Sequence, residues 1–152
     1  MTLPALKRPG LAPPEWLLGE PSLSLSFPSG IPGFASHRTF RLEPAAGGLH
    51  WLRSSEAHGP QFLVVEPRSF LPDFRVEPEP WMLASLDVSE GDDVLTLAVV
   101  TLPKDRSDPP TMNLQGPILV NPRRGIGRQV ILPDSFLGPR MPIPLASSGR
   151  QR

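Results

Sequence analysis

The sequence predicts an all-β fold, a small antiparallel β-barrel-like single domain with at most one short helix. Three observations predict it. The chain of 152 residues holds 22 prolines and 13 glycines, and prolines at that density interrupt any long helix. Its apolar residues, 39% of the total, gather in short stretches separated by turn residues, as in a sandwich or barrel. The strongest stretch, Val94–Leu102, is apolar on both alternating faces, so both of its sides should be covered.

The elements follow in order. Residues 1–21 carry Pro4, Pro9, Pro13, Pro14 and Pro21 and read as a proline-rich N-terminal arm. Over Ser22–Phe27, Leu23, Leu25 and Phe27 share one face and three serines the other, the two-residue period of a half-buried strand. Pro28–Gly33 is a stiff turn in which glycines permit positive φ and prolines hold φ negative. Further strands are predicted over Arg38–Glu43, Leu49–Arg53, Gln61–Glu66 and Phe74–Glu77. In the second of these, Trp51 is expected in the core and His50 on the strand surface. Pro80 suits a first helical position, so Trp81–Leu86 is the one predicted helix, with Trp81 also expected in the core. Leu114–Asn121 and Arg128–Leu132 form a predicted hairpin across Asn-Pro-Arg-Arg-Gly-Ile-Gly. The barrel therefore spans 22–132, and 133–152 is expected to be a proline-rich, basic, mobile tail.

Composition excludes several classes. No apolar stretch approaches the roughly 18 residues of a spanning helix, so no membrane passage is expected. There is no cysteine, hence no disulfide framework and no thiolate metal site. His37, His50 and His58 fall in no metal-ligand spacing, and no nucleophile elbow is present. Neither a catalytic constellation, a metal site nor a cofactor site is predicted.

Charge is balanced in sum and uneven in placement. Fifteen bases meet fifteen acids, yet Glu77–Asp108 carries eight acids against two bases, and Asn121–Arg152 six arginines against one acid. Such patches either steer partners or neutralise each other in the fold. The basic 123–128 loop and the tail admit one alternative reading, a β-barrel RNA-binding module using Arg123, Arg124 and Arg128. The neutral total and the single aromatic among the late arginines, Phe136, weigh against direct nucleic acid binding.

Phe27-Pro28-Ser29-Gly30-Ile31-Pro32-Gly33-Phe34 resembles the signature of the FliW flagellar assembly factors. Trp51-Leu52-Arg53-Ser54 is similar to that family's tryptophan strand. Phe62–Pro67 and Phe70–Phe74 resemble its apolar run and "FxPDY" element, and Asp93–Pro103 its central strand. Thr111–Leu114, Gly116–Ile118, Asn121, Gly127 and Gln129-Val130 resemble its "TxNLxxPIxIN…GxQ" block. The resemblance implies a compact β-barrel and a cytoplasmic, non-enzymatic protein. It would bind flagellin and, when free of it, antagonise the translational repressor CsrA, the carbon storage regulator.

Candidate partner-binding residues follow. Ile31 and Phe34 lie on the stiff turn, and Asn113, Asn121 and Gln129 on the late block. An exposed Trp81 would make an anchor beside the acids Glu77, Glu79, Glu90, Asp92 and Asp93. For Ile31 and Phe34 the competing expectation is burial at a structural corner. For Asn113 and Asn121 it is the bracing of local loops.

Overall fold

The computed structural model describes residues 22–45, 48–89, 92–132 and 137–143. The strands are β1 (Leu23–Ser26), β2 (Thr39–Pro44), β3 (His50–Ser54), β4 (Gln61–Val65), β5 (Leu95–Thr101), β6 (Thr111–Met112), β7 (Ile118–Asn121), β8 (Ile126–Gln129) and β9 (Met141–Pro142), with one α-helix, α1 (Pro80–Ser85). Seven strands close a ring in the order β1-β2-β3-β4-β5-β7-β8, and β8 returns to β1. Every junction is antiparallel except that last one, where Ser26 pairs with Ile126 in parallel. The predicted barrel forms, and its closing seam is the one parallel pair among its junctions. Strand direction cannot alternate all the way round a ring of seven, so one junction has to be parallel.

Alternation along the strands fills the interior. Leu25, Phe27, Phe40, Leu42, Leu52, Val64, Leu95, Leu97, Ile118 and Val120 form its buried cluster. The Phe27 and Phe40 rings meet edge to face at 5.2 Å, a favoured aromatic geometry. Strand β5 is covered on both faces, as its sequence predicts. Leu95 and Leu97 point inward, while Ala98 and Val100 belong to an outer cluster with Val65, Phe74, Met112, Leu114 and Ile143. Helix α1 starts at Pro80 and lays Met82 over the barrel, where Met82 and the following Leu86 pack with Leu119 and Val130.

Three predicted elements are corrected. No strand forms over Phe74–Glu77. Val100 already pairs with Leu63 on one side and Met112 on the other, and the 66–76 segment instead straps Phe74 onto the outside of β5. Residues 137–143 are not tail. Met141–Pro142 pairs with β6, Ile143 is fully buried, and its N–H donates to Pro110 O at 2.8 Å. An edge strand tolerates Pro142 because no neighbour needs its missing N–H. The arm at 1–21 and the rest of the tail lie outside the described residues. In β3 the facing is reversed: His50 and Leu52 are buried, and half-buried Trp51 lies outside under the Arg53 guanidinium at 4.9 Å.

The parallel junction depends on glycine. Ser26 N–H donates to Gly125 O at 2.7 Å, and Gly125 holds φ +69°. A Cβ on Gly127 would stand 2.6 Å from the Phe27 ring, so a side chain there displaces a core aromatic. Gly127→Ala should lower stability by about 1–3 kcal/mol, the usual cost of overpacking a core. Urea unfolding measures this, and a midpoint equal to the wild type's would refute it.

Buried His50 generates a second expectation. Desolvation lowers its pKa from 6.5 to about 4, so the folded protein holds the imidazole neutral while the unfolded chain takes up a proton below about pH 6.5. Stability therefore falls as pH drops from about 6.5 towards 4, by about 2–3 kcal/mol if this group acts alone. His50→Gln should flatten the stability–pH slope across that window. An unaltered slope would place the acid sensitivity elsewhere.

Candidate functional site

The turn following β1 is built by backbone geometry. Gly30 N–H donates to Phe27 O at 2.8 Å and Phe34 N–H to Ile31 O at 2.7 Å. Gly30 and Gly33 hold φ +69° and +89°, and a Cβ on Gly30 would meet the Ala35 Cα at 2.8 Å. The Arg38 guanidinium donates to Pro28 O at 3.0 Å. Ile31 is buried by this geometry and cannot be offered to a partner. Phe34 is exposed and leans edge-on against Phe62 at 5.4 Å.

Three segments distant in sequence meet at Trp81. The indole, 47% exposed, donates from Nε1 to Glu79 Oε1 at 3.1 Å. Arg128, from β8, stands 4.9 Å over the ring and donates to Ser29 Oγ of the turn at 2.9 Å. The expected core position of Trp81 is thus corrected. Met82 and Leu86 take the inward face of α1, and Trp81, one residue from Met82, falls outside that face. An arginine over one face of an exposed indole contributes about 0.5–1 kcal/mol and favours the observed pose. The result is a large exposed aromatic whose side-chain freedom is already partly restricted.

The candidate acids divide. Glu77, Glu79 and Asp93 are exposed, whereas Glu90 lies outside the described residues. The Asp92 side chain is only 6% exposed. It pairs with Arg123 at 3.1 Å and accepts the Ser89 N–H at 2.9 Å. Asp87, which follows α1, meets Arg124 at 3.3 Å. At these points the acidic segment and the basic β7–β8 turn neutralise each other, and the three arginines of the RNA reading face Asp92, Asp87 and Trp81.

The amides brace loops. Asn121, fully buried, donates from Nδ2 to Leu86 O at 3.0 Å and accepts the Arg123 N–H at Oδ1 at 3.2 Å. It ties the end of α1 to the β7–β8 turn. Asn113 Oδ1 accepts the N–H groups of Gln115 and Gly116 at 3.0 and 2.9 Å, and Gln129 Nε2 donates to Gly116 O at 2.8 Å. For Asn113 and Asn121 this is the loop bracing that the sequence reading set against partner contact, and Gln129 braces the same turn as Asn113. One histidine meets a serine and an acid, but His37 faces Ser54 Oγ at 3.2 Å and Glu56 Oε1 at 3.6 Å through the same Nδ1. A triad base needs its two partners on opposite ring nitrogens.

The sequence reading missed Ser29 as a member of the cluster. Its contact with Arg128 spans 99 positions, and nothing in a lone serine of a Pro-Ser-Gly turn announces it.

Comparison with known proteins matches this chain over residues 17–143 to the family described as FliW protein. The flagellar assembly factor FliW of Natranaerobius thermophilus is 33% identical over 121 residues, covering 78% of this chain and 80% of that protein. That of Syntrophotalea carbinolica is 35% identical over 127 residues, covering 82% and 89%. A crystal structure of the flagellar assembly factor FliW superposes with a TM-score of 0.72 at 28% identity, covering 78% of this chain and 84% of the other. The family match, the relatives and the structural likeness agree, and the chain belongs to the FliW family of flagellar assembly factors.

Proposed function

We propose that this protein is a non-enzymatic partner switch in the cytoplasm: it binds flagellin and, when free of it, binds and antagonises the translational repressor CsrA. Family membership supports the setting. The observation that carries the reading is the exposed, braced Trp81, held by Glu79 on one side and Arg128 on the other. A switch of this kind needs no bond-making in the barrel. Each partner draws the protein away from the other by mass action, in proportion to its free concentration and affinity.

Flagellin docks on the Trp81 cluster, with Phe34 as a second exposed aromatic on the turn that supplies Ser29. The exposed acids Glu77, Glu79 and Asp93 contribute charge to repressor binding, and Asp92 serves the fold instead. The RNA reading is the weaker one, because Arg123 and Arg124 are engaged by acids of this same chain.

Calorimetric titration with monomeric flagellin encoded in the same genome tests this. One-to-one saturable binding is expected. Trp81→Ala should weaken it at least tenfold, about 1.4 kcal/mol or more, while leaving the unfolding midpoint near that of the wild type. Adding the repressor to the complex should lower the apparent flagellin affinity. Absence of binding by a demonstrably folded protein would overturn the flagellin assignment, and equal affinity for Trp81→Ala would move the site elsewhere on the barrel.

A further inference from the structure

A cleft of about 160 Å³ opens between the 66–76 strap and the outer face of β5, lined by Glu66, Arg68, Phe74, Arg75, Val76, Val94 and Thr96. Its volume is that of roughly five waters at liquid density, enough for a small organic molecule. The lining is segregated by chemistry. Phe74 is buried, Val76 and Val94 are half-buried, and these apolar groups form the walls. Glu66 is buried at 1% exposure, and half-buried Arg68 and exposed Arg75 belong to the same lining.

Among the described residues, neither arginine forms a salt bridge. Arg68 donates from Nε to Pro72 O at 3.3 Å, and Arg75 makes no hydrogen bond or ion pair among the described residues. Arg53 and Arg123, by contrast, pair with Glu43 and Asp92. Desolvation and the positive charge of Arg75 both press the Arg68 pKa downward, and Asp73 only partly opposes them. An oxyanion set between two guanidinium groups removes that repulsion and finds donors in a planar fork suited to it.

We propose that this cleft binds a small organic oxyanion, a carboxylate or a phosphate ester, with its charged head bridging Arg68 and Arg75 and its apolar body on Phe74, Val76 and Val94. Occupancy fastens the strap to β5, and Val76 leads directly into Glu77 and α1.

The test is titration of the full-length 15N-labelled protein by NMR at constant ionic strength, with benzoate, phenyl phosphate, inorganic phosphate and sodium chloride as separate arms. Benzoate or phenyl phosphate should give saturable shifts at the Thr96 and Val76 amides and at the Nε–H groups of Arg68 and Arg75. The tighter of the two identifies the headgroup. Inorganic phosphate should bind at least tenfold more weakly, since it lacks an apolar body. Arg68→Gln and Arg75→Gln should each weaken binding at least tenfold while keeping a dispersed folded spectrum. Shifts matching those of sodium chloride, unchanged affinity in both variants, or inorganic phosphate binding as tightly as phenyl phosphate would each overturn the proposal.

Discussion

Strand direction in a closed ring of seven cannot alternate without one failure, and much of this structure is arranged around the place where it fails. At the β1–β8 junction the two chains run the same way, and only one residue pair, Ser26 with Ile126, is in register. So short a seam leaves little backbone pairing to hold it. What compensates is packing: the Phe27 ring passes over Gly127 at a distance no side chain could share. The turn before β8 is set by Gly125 and by the buried Asn121, whose amide also fastens α1. Closure, the helix position and the β7–β8 turn are thus parts of one arrangement.

That arrangement also places the candidate site. Because β8 lies beside β1, Arg128 on β8 comes within reach of Ser29 just beyond β1. Because Asn121 ties down the end of α1, Trp81 at its start stands where Arg128 can cover it. Separate surface features in the sequence become one cluster only through the seam. The opposite charges nearby follow the same logic. Asp87 and Asp92 flank the end of α1, opposite the turn that carries Arg123 and Arg124, and the chain's zero net charge is partly realised as local pairs.

Much of the fold was legible in the sequence. Alternation located β1 and β2 closely, continuous apolarity marked β5 as covered on both faces, and Pro80 marked the start of α1. The misreadings share one cause, namely that period alone does not say which face is inside or whether an edge is free. His50 and Trp51 alternate equally well either way, and pairing of Leu52 with Leu42 and Phe62 decided it. Phe74 and Val76 alternate like a strand but find no open edge. Met141–Ile143 lay among prolines and was read as tail, though its apolar residues complete the outer cluster of β5. Of the site, Trp81 and the acid Glu79 were visible together as one possible anchor, and Arg128 only in the separate RNA reading. Their meeting was not, because it depends on contacts across a hundred residues.

The seam also sets an order of events for the growing chain. Strands β1 to β4 are successive hairpin neighbours and can pair as soon as each emerges. The eighth strand lies about a hundred positions beyond the first, so the free side of β1 stays unpaired until β8 has been made. Such distant pairing is slow because loop-closure entropy must be overcome before any contact offsets it. Until then Phe27 lacks its glycine floor and the β1 edge is open to other chains. Closure of that seam, rather than any step of hairpin formation, is therefore the moment at which this barrel becomes a barrel.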